Sequence, residues 1–250
     1  MKSYKYEILG VIFAVMLLNI WYLGSIAVES RLLPYEYKNV IGFFTSAFGA
    51  MAGAYSAFQF NRLIEKDRKE KELIDDFRYA IFLTAMKLNQ LRGIMRDSLQ
   101  PNEDKIERWG AMMALNEIDE KEDFNNAKLS FLQQDYGQFI MDLALADDCY
   151  KLAIRQVNYR SYLHREKLQS YQAEVIKNNP EIETYQDLTN VIDKALLQLM
   201  VTETNNCFLI VPTAISRLEK TQEALFSIAK ERFKGVTFLD HDALYKESPT

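Results

Sequence analysis

The stretch ILGVIFAVMLLNIWYLGSIAV, running from Ile8 to Val28, decides how the rest of the chain is read: 21 residues without a charge and with one strongly polar side chain, Asn19. At about 1.5 Å of rise per residue a helix of this length crosses a hydrocarbon core of about 30 Å. Trp21 and Tyr22 stand toward its outer end, where amphipathic rings favour the headgroup boundary. A cleaved signal peptide is the competing reading, because Ser25-Ile26-Ala27 offers small residues after a basic N-terminus. Against it, the apolar run exceeds a usual signal core and a second run follows at once.

That second run, VIGFFTSAFGAMAGAYSAFQF, is again 21 residues without a charge, Val40 to Phe60. It is rich in small residues, and they are not scattered: Gly42, Ser46, Gly49, Gly53 and Ala57 follow at steps of four and three, which puts them on one helical face. Such a face lets helix backbones approach closely in lipid, where packing replaces the hydrophobic drive. Two partners fit it equally: the first span of the same chain, or a second subunit. An amide in the middle of a span, Asn19, needs a hydrogen bond, either across to a partner helix or toward a narrow wet path.

Lys2 and Lys5 precede the first span, Arg31 and Lys38 sit in the connection, and Arg62, Lys66, Arg68, Lys69 and Lys71 follow the second. The basic excess at both ends predicts cytoplasmic N- and C-termini, with a short outer turn around Pro34. The expected organisation is a hairpin over 1–60 (spans 8–28 and 40–60), a stalk with the first bundle helix over 61–100, the remaining cytosolic bundle over 101–235, and a loose tail over 236–250.

The first sixty residues carry a net charge of +1, which leaves most of the acidity of a chain of net charge −5 to the cytosolic part. Such a balance argues against sequence-independent nucleic-acid binding, although Arg155, Arg160, Arg165 and Lys167 could form a local patch, so direct nucleic-acid contact stays open. Glu65 to Glu72 alternates four acids with four bases and reads as a solvated stalk supported by pairs such as Glu65 with Lys69; binding to anionic lipid is the alternative.

Beyond the stalk the apolar residues recur at steps of four and three. Phe77, Ile81, Thr84, Leu88, Leu91 and Met95 mark one long helix that Pro101 ends. Phe139, Leu143, Ala146, Tyr150, Ala153, Val157, His164, Leu168, Tyr171 and Val175 mark a second, with one missed beat and a stop at Asn178-Asn179-Pro180. Leu188, Ile192, Ala195 and Leu199 open a third; Ile215, Leu218, Gln222, Leu225, Ala229 and Phe233 make a fourth, with Pro212 breaking or kinking the chain between them and Gly235 as a cap. Between the first two, a short helix forms around Ile106, Trp109 and Met113, and Glu117 to Asp123 reads as an exposed acidic loop. With no sustained strand alternation, the expected fold is all-α: a two-helix transmembrane hairpin followed by a cytosolic antiparallel helical bundle. The tyrosines Tyr150, Tyr159, Tyr162, Tyr171 and Tyr185 read as bundle packing with hydroxyls at the rim.

No glycine-rich phosphate loop, GxSxG, HExxH or paired-cysteine spacing is present, so no enzyme activity, cofactor or metal is expected. Cys149 and Cys207 are too few and too far apart for a disulfide framework. His164 lies on an apolar stripe and reads as a bundle histidine, Asp240-His241-Asp242 as solvated tail. Asp147 and Asp148 would oppose thiolate formation at Cys149. Glu203 to Asn206 interrupts an apolar run that continues through Cys207 to Pro212 as a core turn or a docking surface.

The spacing of the spans, with Ala47-Phe48-Gly49-Ala50-Met51-Ala52-Gly53 running on to Phe60-Asn61-Arg62-Leu63, resembles the two-span inner-membrane effectors encoded beside reverse transcriptases in retron anti-phage defence systems. The resemblance implies a homo-oligomerising membrane effector of the bacterial inner membrane. A reverse transcriptase with its RNA and DNA would hold it silent, and infection would release it to compromise the membrane. The alternative is a membrane-anchored adaptor whose helical domain recruits a soluble partner.

Overall fold

The computed structural model describes residues 4–32, 34, 37–179, 182 and 184–238, and these are helical with no strand among them. Seven α-helices follow in order: α1 (Tyr4–Glu29), α2 (Tyr37–Ile94), α3 (Arg108–Ala111), α4 (Gln133–Leu163), α5 (Ser170–Asn178), α6 (Tyr185–Val191) and α7 (Lys194–Arg232). The chain divides into two compact units, 1–72 and 73–250, and the division falls inside α2.

The first unit holds α1 and the first part of α2. Among the described residues one helix, over Gly10–Glu29, is long and apolar enough to cross a membrane. The stretch 40–60, expected as a second span, is helical throughout, and Phe43, Phe44, Met51, Tyr55, Phe58 and Phe60 expose their side chains. Past Phe60 the helix stays exposed and is laced by two ion pairs one turn long, Glu65–Lys69 at 2.8 Å and Arg68–Glu72 at 2.9 Å. These are the pairs a solvated helical stalk uses.

The second unit is built on three long helical rods. The α2 stripe buries Phe77, Ile81, Thr84, Leu88 and Leu91 as its spacing predicts. The α4 stripe does the same, and its missed beat is filled by two polar residues, Arg160 and Ser161, both buried. A π-helical turn over His164–Gln169 then joins α4 to α5, which ends at Asn178; Pro180 lies outside the described residues. The π turn shifts the phase of the stripe by one residue and so keeps Leu168 in the core.

Two expectations are corrected in the last third of the chain. The third segment does not run on from Leu188: α6 begins at a capping box, Thr184 with Asp187, and ends before Asp193, whose side chain accepts from Leu196 N at 2.9 Å and starts a new helix. Ala195 is exposed there. Nor does Pro212 break the chain, because α7 is helical on both sides of it. Proline removes one backbone bond, and the apolar residues on either side of it, Cys207 and Val211 before and Ala214 and Leu218 after, are all buried and hold the rod together.

Three clusters order the rods. Leu88 and Leu91 of α2 share one with Ala146 to Val157 of α4 and Cys207 to Leu218 of α7. Phe77 to Leu83 share another with Phe139 and Leu143 and with Leu225 to Phe233. Order along α4 therefore follows order along α2 and reverses that along α7. The third cluster closes one end with Trp109, Leu163, Leu168, Leu188, Ile192 and Met200.

Because α2 and α4 advance together, the connection between them must return the length of the unit. It does so as a strap without regular structure over 113–125, which at about 3.3 Å per residue spans about 40 Å. The short helix expected around Ile106, Trp109 and Met113 is the single turn α3; of the three, Trp109 lies in it and is buried, while Ile106 and Met113 flank it 90% and 80% exposed. Gly235 has φ of +88°, as a cap past α7 requires. The tail is not loose from its first residue: Phe238 meets Phe77 and Phe233 edge-on or tilted, each at 5.9 Å between centroids.

Candidate functional site

In the first unit the small-residue face is open. A Cβ built at Gly42, Gly49 or Gly53 meets nothing within 4 Å among the described residues. Ser46 and Ala57 share that face, and both are exposed. Asn19 does not reach across to another helix: its Nδ2 donates to Val15 O, one turn back in α1, at 2.8 Å. Its surroundings are apolar, a shallow groove of about 420 Å³ lined by Val11, Ile12, Val15, Met16, Ile20 and Leu23 along the same helix. The amide donor is thus satisfied locally, and the groove is unfilled by this chain.

In the second unit the polar groups concentrate where the strap crosses α2 and α4. The acidic segment expected as a solvated loop is held along its length by side chains. Asn158 of α4 grips Ile118 at both main-chain groups, donating to its O at 2.8 Å and accepting from its N at 3.0 Å. Ser161 Oγ accepts from Leu115 N at 3.1 Å, Tyr150 OH accepts from Lys121 N at 2.8 Å, and Gln90 Nε2 donates to Asp119 O at 3.0 Å. Backbone that no helix or sheet satisfies has been given side-chain partners instead. The acids pair in the same way: Glu120 with Arg155 at 2.6 Å, Asp123 with Lys151 at 2.7 Å, and Glu122 accepts from Tyr79 OH at 2.5 Å.

Beneath the strap lies a fully buried ammonium. Lys87 Nζ donates to Asp147, itself bonded to Lys151 at 3.1 Å, and sits 4.4 Å from the Phe124 ring centre and 4.9 Å from that of Tyr150. Burial pushes the Lys87 pKa down and Asp147 works against it. Removing one partner of such a buried pair costs about 3–5 kcal/mol, because the other charge is left uncompensated. The Tyr150 phenol, which donates to Gln90 at 2.5 Å, is pushed up to about 12 by burial.

Arg160 is the second buried cation, held among the described residues by neutral oxygens. Its guanidinium donates to Trp109 O at 2.9 Å, Met113 O at 3.0 Å and Thr204 Oγ1 at 3.4 Å, fastening the start of the strap to α4 and α7. Burial lowers its pKa to about 10. His164, one turn on, is buried with Nε2 3.3 Å from Gly110 O and with Nδ1 unpartnered among the described residues. Burial first, then Arg160 and Arg165, hold its pKa below the usual value. The Cys207 thiol is buried and pushed up to about 12.

The basic patch expected on α4 is not a free surface. Arg155 is exposed but paired with Glu120, Arg160 is buried on carbonyl oxygens, and Arg165 donates to Leu115 O; Lys167 is exposed. The tyrosines do not form one stripe either. Tyr150 is buried, Tyr159 and Tyr162 face outward, Tyr171 OH donates to Val191 O at 2.9 Å, and the Tyr185 ring lies edge-on to Trp109 where a Cβ on Gly110 would stand. Glu203 to Asn206 is a regular turn of α7, with Thr204 in the core and Leu209 exposed beyond it.

No group of three His, Cys, Asp or Glu residues converges to hold a metal ion among the described residues, and Asp240-His241-Asp242 lies outside them. Lys87 and Arg160 escaped the pattern reading because a cation was assigned to the solvent face by type. Spacing could have found both, since Lys87 falls on the stripe between Thr84 and Leu91, and Arg160 fills the missed beat. No family model, curated protein or solved structure matches the chain.

Proposed function

We propose that the chain is a membrane-perturbing effector of bacterial anti-phage defence. In this reading residues 1–60 form a two-span hairpin in the inner membrane with both termini in the cytoplasm, followed by the charged stalk and a cytosolic helical bundle in which α2 and α4 run parallel and α7 runs against them, rather than the all-antiparallel bundle expected. A cytosolic partner restrains the bundle, for which the retron resemblance supplies a reverse transcriptase with its RNA and DNA. Direct nucleic-acid contact is disfavoured by the pairing of Arg155 and the burial of Arg160.

One observation carries the reading: the small-residue face of Gly42, Ser46, Gly49, Gly53 and Ala57 is unfilled, with nothing within 4 Å of a Cβ at its first, third and fourth members. A close-packing surface that its own chain leaves open is what homo-oligomerising spans use. The space also makes the face testable, because larger residues there do not collide with the chain itself.

Expression of the protein alone in bacteria, with membrane potential and viability followed over time, should give depolarisation and loss of viability. Gly49→Leu with Gly53→Leu, at equal membrane abundance, should remove both. Unchanged killing by the double variant would exclude this surface as the working one. A membrane-anchored adaptor is the second reading, and the ion-paired spacer of Glu65 to Glu72 suits a tether. Replacing residues 1–60 by an unrelated two-span anchor would preserve an adaptor's activity and abolish the effector's.

A further inference from the structure

The outer face of α4 is unlike the rest of the helical unit's surface. Met141, Leu145, Leu152, Tyr159 and Tyr162 are 62%, 46%, 52%, 47% and 48% exposed. Leu145, Leu152 and Tyr159 recur every seven residues, and so do Met141, Asp148, Arg155 and Tyr162. Apolar residues exposed singly on a surface mean little, but a heptad stripe is the seam of one helix meeting another. The stripe extends over about 30 Å of helix. It is also bounded by structure: Tyr136 leaves helical geometry with φ −134° and ψ 41° before it, and the π turn begins at His164 after it. The seam occupies only the undistorted α-helical stretch.

The two charges on the seam identify its occupant. Asp148 and Arg155 sit at equivalent heptad positions, one on either side of Leu152. Were a second α4 laid alongside in the same direction, Asp148 would face Asp148 and Arg155 would face Arg155. About a two-fold axis through Leu152, the second α4 runs the other way. Leu145 then faces Tyr159, and Met141 and Asp148 come within one residue, about 1.5 Å of helix rise, of facing Tyr162 and Arg155, in both directions at once, as an isologous interface requires. We infer that the α4 face of Met141, Leu145, Leu152, Tyr159 and Tyr162 is a self-association surface, on which a second copy of this chain docks antiparallel with Asp148 opposite Arg155. Arg155 keeps Glu120 at 2.6 Å, so its guanidinium is already held at the edge of the seam. The inference concerns the helical unit and stands whether or not the apolar helices also associate.

Position-specific cross-linking tests it separately from any contact through those helices. In full-length chain solubilised in mild detergent, with Cys149→Ala and Cys207→Ala and the melting curve checked, Leu152→Cys lies at the axis and should form a disulfide-linked dimer on mild oxidation. Leu209→Cys, still more exposed at 69% on α7, should not. Adding Asp148→Arg should cut the Leu152→Cys dimer several-fold, and Asp148→Arg with Arg155→Asp should restore it. No Leu152→Cys dimer, or no more than Leu209→Cys gives, overturns the proposal. A dimer indifferent to Asp148→Arg, or one that the double exchange does not restore while the melting curve is kept, overturns the antiparallel pairing.

Discussion

Lys87, Arg160 and His164 all occupy stripe positions where spacing alone would place an apolar side chain, and each is kept there by a different means. Lys87 has a carboxylate and two ring faces; Arg160 has carbonyl and hydroxyl oxygens; His164 has one carbonyl and remains neutral. The last choice gives a pH dependence whose sign is fixed. Its pKa in the folded chain lies below the unperturbed 6.5, because burial and the neighbouring Arg160 and Arg165 penalise the cation. Below about pH 6.5 the unfolded chain takes up a proton that the folded chain refuses, so His164 subtracts stability progressively as pH falls from 6.5 through the lowered folded value. Above 6.5 the contribution is flat. Chemical denaturation at pH 7.5 and 5.5 should show a drop for the wild type that is smaller in His164→Gln, which keeps a donor for Gly110 O and does not titrate. An equal drop in the two proteins would place the acid sensitivity elsewhere.

At the scale of elements, helix existence was legible and helix linkage was not. The stripes at Phe77 to Leu91 and at Phe139 to Leu168 are buried as their periods require, since four-and-three spacing is a property of one element and needs no knowledge of its neighbours. Continuity across Pro212 depends instead on what packs around the missing bond, and the stop before Asp193 on a capping side chain. Thr184 and Asp187, a threonine followed three residues on by an acid, did carry a readable start signal for α6. The strap is the exposed acidic loop its composition predicts, but its pairing was not legible, because the partners of its acids lie tens of residues away in α2 and α4. Asn158 holds the middle of it by two bonds to one residue. Asn158→Ala should therefore open the strap locally at a cost of about 1–3 kcal/mol. Hydrogen exchange at Ile118 and its neighbours should accelerate by roughly tenfold or more, with the cores of α4 and α7 unaffected. Exchange that rises equally throughout would make the strap part of the global fold rather than a locally opening segment.

The whole molecule divides after Glu72 into two compact units. Among the described residues, the three core clusters are made of residues from Leu73 onward. The first unit has almost no interior: α1 exposes Val11, Phe13, Leu18, Ile20 and Leu23, and the start of α2 exposes its phenylalanines. In water that surface would drive aggregation, while in lipid it needs no cover. Two readable features foreshadowed this division in the sequence, the lack of charge within Ile8–Val28 and Val40–Phe60 and its abundance from Arg62 onward. Residues 73–250 expressed alone should accordingly remain soluble, give a strongly helical circular dichroism spectrum and melt in one cooperative transition within a few degrees, ~5, of the full chain in detergent. The same fragment should leave the membrane potential of the expressing cell unchanged. A fragment that precipitates or melts without cooperativity would mean that the apolar helices complete the core of the second unit. A folded fragment that still depolarises the cell would overturn the proposal that residues 1–60 carry the effect and put it on the helical unit.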